Sequence, residues 1–76
     1  MTVEKFVNEL AELMELDSGL TLDTDLTRLE EYDSMRALSV MAMVNNELGV
    51  TLAADQMEKV VKVSDLVHAI GRDKFE

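Results

Sequence analysis

Apolar residues recur at every third or fourth position in residues 3–16, and this spacing constrains the fold more than any other feature. It is typical of an amphipathic helix. Thr2 is the expected N-cap, and Asp17-Ser18-Gly19 is expected to end the helix, with Gly19 near the C′ position. Because 76 residues form only one small domain, residues 1–76 must bury this stripe in a single core. The stripe consists of Val3, Phe6, Val7, Leu10, Leu13 and Met14.

A second helix is predicted from Ser34 to Leu48, with Gly49 directly after it. Val40, Ala42 and Met43 make this helix apolar well beyond one face. A helix of that kind is either central or presents a binding surface. We expect its inward stripe to be Met35, Leu38, Met41, Val44 and Leu48.

The long segment between these helices, residues 17–32, has no sustained apolar period. It nevertheless carries too many apolar residues for a free linker, so we expect it to lie pinned against the core. A short helical turn is expected from Leu26 to Glu31. The apolar residues of the segment are Leu20, Leu22, Leu26 and Leu29.

Two further helices are predicted after Gly49. A short one covers Ala54 to Lys59 with Met57 inward, and a last one is capped by Ser64, runs through Ile70 and stops at Gly71. The ordered core should therefore span about 2–71, and residues 72–76 should form a frayed, charged tail. The predicted fold is all-α: a small four-helix bundle with three longer helices, one short helix and a long loop between the first two. The inward residues of the last helix are Val63, Leu66, Val67 and Ile70.

Composition excludes several classes of function. A net charge of -9 argues against nucleic acid as a partner and favours basic protein surfaces. Without cysteine, and with His68 as the one histidine, the chain offers neither a thiolate nucleophile nor a His-based triad or metal cluster, so we expect no metal and no enzyme activity. No apolar run approaches the roughly 18 residues of a membrane span. We expect a cytoplasmic monomer.

The residues at the start of the second helix suggest a role of their own. Asp33 can act as its N-cap, which places Ser34 at the first helical position, beside the partly positive end of the helix dipole. A phosphate ester on Ser34 would be tolerated there. Taken alone, however, Asp-Ser before an apolar helix is most often a cap. A helical protein-interaction module, with Ser34 only a cap, therefore remains open.

The order of these elements, together with several short motifs, resembles an acyl carrier protein over almost the whole chain. Asp33-Ser34-Met35 resembles the family's Asp-Ser-Leu attachment motif. The resemblance implies that a phosphopantetheinyl transferase moves 4′-phosphopantetheine from coenzyme A onto Ser34, assisted by Asp33, and that the arm then carries acyl groups as thioesters. Acyl-loading and acyl-processing enzymes would be the other partners. The further matching segments are Glu47–Leu52, Met57–Val60 and Val63–Leu66.

The chain departs from the family pattern in the loop and on the second helix. Glu30 and Glu31 stand where the family usually has an apolar residue and a glycine. The family's docking helix is acidic, but Glu47 is the one acid of this helix. The matching positions here are Arg36, Ser39, Asn45 and Asn46. A positive charge at Arg36 would repel the wrong enzymes.

These departures predict a carrier for a specialised pathway of the fatty-acid or polyketide kind. Its partners would contact Val40 and Met43, with polar help from Asn45. An aminoacyl or peptidyl carrier, including a D-alanyl carrier, stays open as the alternative. The cargo would lie either along the outside of the protein or in a space beside the second helix.

Overall fold

The computed structural model describes residues 1–16 and 19–76, and within them it contains four α-helices and two short 3₁₀ helices. The 3₁₀ helices are Leu26–Arg28 and Arg72–Lys74. No strand occurs in the described part of the chain. The all-α fold with one short helix is therefore confirmed. The α-helices are α1 (Val3–Leu13), α2 (Ser34–Leu48), α3 (Ala54–Glu58) and α4 (Val63–Ile70).

One apolar core holds these helices together. The predicted stripes of α1 and α4 supply most of it, and Met57 of α3 is buried as expected. Thr2 caps α1 as predicted, with its Oγ1 accepting from the N–H of Lys5 at 3.1 Å. The fully enclosed side chains are Phe6, Leu10, Met14, Leu26, Leu66, Val40, Val44, Val63 and Val67.

The end of α1 differs from the prediction. The helix stops at Leu13, and Glu15 adopts a left-handed conformation with φ 57°. The N–H of Leu16 donates to the carbonyl of Ala11 at 3.0 Å, and that of Glu15 to Glu12 at 3.0 Å. This pattern ends helices very commonly, usually with glycine in the left-handed place. Gly19 is therefore not the C′ residue, and the other predicted stop residues, 17 and 18, lie outside the described residues.

The segment before α2 is pinned to the core, as predicted, by Leu26, which is fully buried. Backbone hydrogen bonds tie this segment to the connection between α3 and α4. The N–H of Leu26 donates to the carbonyl of Val61 at 2.7 Å, and the N–H of Val63 donates to that of Thr24 at 3.1 Å. The two connections of the bundle thus support each other.

Ser64 does not cap α4. The cap position is Lys62, and the carboxylate of Asp65 accepts from the N–H of Lys62 at 2.9 Å and of Val61 at 3.1 Å. The backbone N–H of Ser64 donates to the carbonyl of Leu22 at 3.0 Å. The loop before α2 therefore provides a hydrogen-bond acceptor for one of the free backbone N–H groups at the start of α4. A serine cap is not needed.

The predicted frayed tail is also corrected. The tail continues from α4 into the 3₁₀ helix, and the ring of Phe75 packs edge-on against that of Phe6, with centroids 5.4 Å apart. The aromatic contact gives the charged tail an apolar anchor.

The helices of residues 1–16 and 19–76 are all too short or too polar to cross a membrane.

The buried face of α2 is rotated from the one predicted. Val40 is fully buried, whereas Met35 is 76% exposed and Leu38 is 64% exposed. Val44 is fully buried, as predicted, and Met41 and Leu48 pack against the core. Met35 and Leu38 differ from the prediction because apolar residues occupy most of the circumference of α2.

Candidate functional site

Ser34 is the first residue of α2 and lies exposed at the surface. Asp33 caps the helix in an extended backbone conformation, and its Oδ1 accepts from the N–H of Arg36 at 2.9 Å. The carbonyl of Asp33 accepts from the N–H of Ala37 at 2.9 Å. Ser34 therefore stands on a fixed helical turn and is still accessible to another macromolecule.

The surroundings of Ser34 fit a covalently attached phosphate. Ser34 lies at the N-terminus of a 15-residue helix, where the helix dipole and free N–H groups favour negative charge. Glu30, Glu31 and Asp33 are exposed immediately before it. These acids give this end of the molecule a negative charge.

A cleft of about 420 Å³ opens beside Ser34, between α2 and α3. This size lies within the range of small-molecule pockets. Tyr32 contributes a half-buried ring to the wall, and burial raises the pKa of its hydroxyl, so the group stays neutral at physiological pH. The other lining residues are Thr27, Asp33, Ser34, Ala37, Leu38, Met41, Ala54, Met57, Glu58 and Val60.

One of the predicted docking residues has to be corrected. Val40 is part of the core with no exposed surface, so a partner cannot touch it. Met43 is half-buried and packs against the core. Large apolar side chains are instead exposed on the outer side of α2 at Met35 and Leu38, for which the sequence pattern predicts an inward position. The spacing of apolar residues along α2 indicates which of them share a face of the helix. It does not indicate whether that face lies toward the core or toward solvent.

The other predicted docking residues remain at least partly accessible. Ser39 and Asn45 are exposed, and the side chain of Asn45 donates to Thr51 Oγ1 at 3.0 Å. Glu47 is exposed and faces Glu9 of α1. A hydrogen bond with Glu9 is the main reason that the pKa of Glu47 is raised, and desolvation and repulsion from Glu9 add to it.

Arg36 is engaged within the protein. Its Nη1 donates to the carbonyl of Leu13, and its Nη2 lies 3.4 Å from Glu15 Oε2. Its side chain is 32% exposed. Sequence reasoning missed this contact because Leu13 and Arg36 are joined by a loop whose path the sequence does not define.

The described residues include no group of three or more His, Asp or Glu side chains that could hold a metal ion. His68 lies on the exposed side of α4. It lines a different surface depression and is not among the residues that line the cleft beside Ser34.

Comparison with known proteins gives a family. The family model described as "phosphopantetheine attachment site" matches residues 4–70, which includes all four α-helices except the first residue of α1. No curated protein matches the chain. Carrier domains of this kind work with phosphopantetheinyl transferases and with enzymes that process the carried group. The chain therefore belongs to the acyl carrier family of phosphopantetheine-bearing proteins, whose cofactor is covalently attached 4′-phosphopantetheine.

Proposed function

We propose that Ser34 is the attachment residue and that this chain carries acyl intermediates as thioesters for a specialised pathway. One observation carries the proposal: Ser34 is exposed as the first residue of a helix that Asp33 caps, inside the matched region. The arm supplies the thiol that a chain without cysteine lacks. We infer that the chain is a substrate of other enzymes and has no catalytic role of its own.

The loading step is a phosphoryl-type transfer from coenzyme A. The Ser34 hydroxyl loses its proton and bonds to the phosphorus that bears the pantetheine, and adenosine 3′,5′-bisphosphate leaves. Asp33 is already occupied as the cap of α2, so we infer that the transferase supplies the base. The N-terminus of α2 stabilises the phosphate diester that results.

We propose a docking surface made of Met35 and Leu38 with the neighbouring polar residues Ser39 and Asn45. The exposure of the two apolar side chains supports it, since large apolar groups at the surface often mark interaction sites. Glu30 and Glu31 lie just beyond Ser34 and favour a partner with a basic rim. We infer that the protein acts as a cytoplasmic monomer between such partners.

The cleft beside Ser34 favours an acyl cargo over an aminoacyl one. Leu38, Met41, Met57 and Val60 give it apolar walls, and methionines adapt to chains of different length. A charged amino group would lose hydration on entering such a space. We therefore expect the thermal midpoint to rise when the arm carries a medium-length acyl chain and to stay unchanged when it carries alanine. A rise with alanine alone would favour the aminoacyl carrier.

Incubation with coenzyme A and a broad-specificity phosphopantetheinyl transferase tests the proposal as a whole. We expect the intact mass to increase by one arm. A folded protein that keeps its original mass would instead support a helical interaction module in which Ser34 is only part of a cap.

A further inference from the structure

One of the backbone carbonyl groups at the end of α1 accepts a hydrogen bond from a residue of α2. The last four carbonyls of a helix have no partner inside it. Here those of Leu10, Ala11 and Glu12 accept backbone N–H groups from Met14, Leu16 and Glu15. The carbonyl of Leu13 accepts from the guanidinium of Arg36, which lies 23 residues further along the chain.

Arg36 also belongs to the cap beside Ser34. Its backbone N–H donates to Asp33 Oδ1 at 2.9 Å, while its side chain holds the end of α1. One residue thus connects the turn that carries Ser34 to a second helix. The ion pair with Glu15 adds little, since that carboxylate is 81% exposed and the two charged atoms are 3.4 Å apart.

The position of Arg36 on α2 explains why this contact matters for orientation. Arg36, Val40 and Val44 follow each other at four-residue spacing, and both valines are fully buried. Arg36 therefore extends the inward side of α2 by one turn, up to the end at which Ser34 lies. Holding that side inward leaves Met35 and Leu38 outward.

We propose that Arg36 is a positioning residue for the loading of Ser34, and not a docking residue that selects among enzymes. It fixes the first turn of α2 on the end of α1, so the Ser34 hydroxyl is presented in one orientation. The inference rests on the proposed function, because it concerns the rate at which Ser34 receives the arm.

Variants at Arg36 test the inference against a matched control. Arg36→Met keeps an unbranched apolar stem but removes the donors, and Arg36→Lys keeps one donor for the carbonyl of Leu13. Arg28→Met is the control, because Arg28 is 86% exposed and its contact is an ion pair with Asp25 at 3.6 Å in the same short segment. Each protein is examined without a partner by amide hydrogen exchange and with the transferase by initial rates.

We expect Arg36→Met to speed exchange at the amides of residues 36 and 37 while Ile70 in α4 stays as protected as in the wild type. In the transferase assay it should lower kcat by about tenfold with little change in KM, since loss of orientation slows the chemical step. Arg36→Lys should recover most of kcat, and Arg28→Met should match the wild type.

A raised KM with unchanged kcat and unchanged exchange would overturn the inference, because it would make Arg36 a docking contact. Equal rates for Arg36→Met and wild type would overturn it too. Neither result would affect the proposed function as long as the wild type is loaded. A wild type that takes no arm would count against the proposed function, whatever the exchange at residues 36 and 37.

Discussion

Leu38 and Val40 lie two residues apart on α2 in opposite surroundings: Leu38 is 64% exposed, and Val40 has no exposed surface. Val40→Ala should therefore lower the free energy of unfolding by about 2 kcal/mol, from lost apolar burial and the cavity left behind. Leu38→Ala should change it by no more than about 0.5 kcal/mol. Urea unfolding of both variants measures the difference. A larger loss for Leu38→Ala than for Val40→Ala would mean that α2 is rotated as the sequence pattern predicted.

Asp33 should stabilise the turn at Ser34 through its cap. Asp33→Ala removes the acceptor for the N–H of Arg36 and should cost about 1 kcal/mol, whereas Asp33→Asn keeps an acceptor and should cost much less. Asp23→Ala, at an exposed loop position, controls for the loss of one negative charge. Urea unfolding gives all three values. If Asp33→Asn is as unstable as Asp33→Ala, charge and not capping is the cause.

Glu15 occupies a left-handed conformation that suits glycine better. Glu15→Gly should raise the free energy of unfolding by up to about 1 kcal/mol, because the relief of the side-chain clash exceeds the entropy that glycine loses on folding. Glu12→Gly, three residues earlier inside α1, should lower it by about 1 kcal/mol. Thermal unfolding of the pair checks the contrast. A loss of stability in both variants would show that Glu15 is not strained.

The contributions of two carboxylates to the free energy of unfolding should depend on pH in opposite directions. The pKa of Glu47 is raised, chiefly by its hydrogen bond with Glu9, so its favourable contribution is complete below 4.5 and is lost as pH rises through its folded-state pKa. Glu47→Gln should therefore be more stable than the wild type at pH 7, with the gain shrinking below pH 4.5.

Asp65 provides the comparison, because hydrogen bonds from the N–H groups of Lys62 and Val61 lower its pKa. The stabilisation that Asp65 contributes is present above pH 3.8 and is lost as pH falls through its folded-state pKa. Asp65→Asn should therefore be less stable than the wild type at pH 7. Urea unfolding across this pH range measures both. Shifts of the same sign in the two variants at neutral pH would contradict this reasoning.

The sequence predicts where the helices lie along the chain better than it predicts which of their residues are buried. The stripes of α1 and α4 have a single apolar side each, so periodicity alone identifies the faces that are buried. Helix α2 carries apolar residues around most of its circumference, so the same method assigned Met35 inward and Val40 outward. Only contacts between distant segments decide between such alternatives.

Features that depend on tertiary contacts could not be predicted from local patterns. Ser64 looked like a cap, but the loop carbonyl of Leu22 accepts its N–H. The tail looked free because it is charged, yet Phe75 meets Phe6 from the other end of the chain. Arg36 looked like a surface charge because the motif places it next to Ser34. In each case the deciding partner is far away in sequence.

The mass of the Ser34→Ala variant after incubation with coenzyme A and a broad-specificity transferase tests the central claim most directly. Ser39→Ala is the matched control, since Ser39 is an exposed serine on the same helix. We predict that the wild type and Ser39→Ala each gain one arm, that fragment mass spectra place it on Ser34, and that Ser34→Ala gains none while remaining helical. An arm on folded Ser34→Ala would contradict the account.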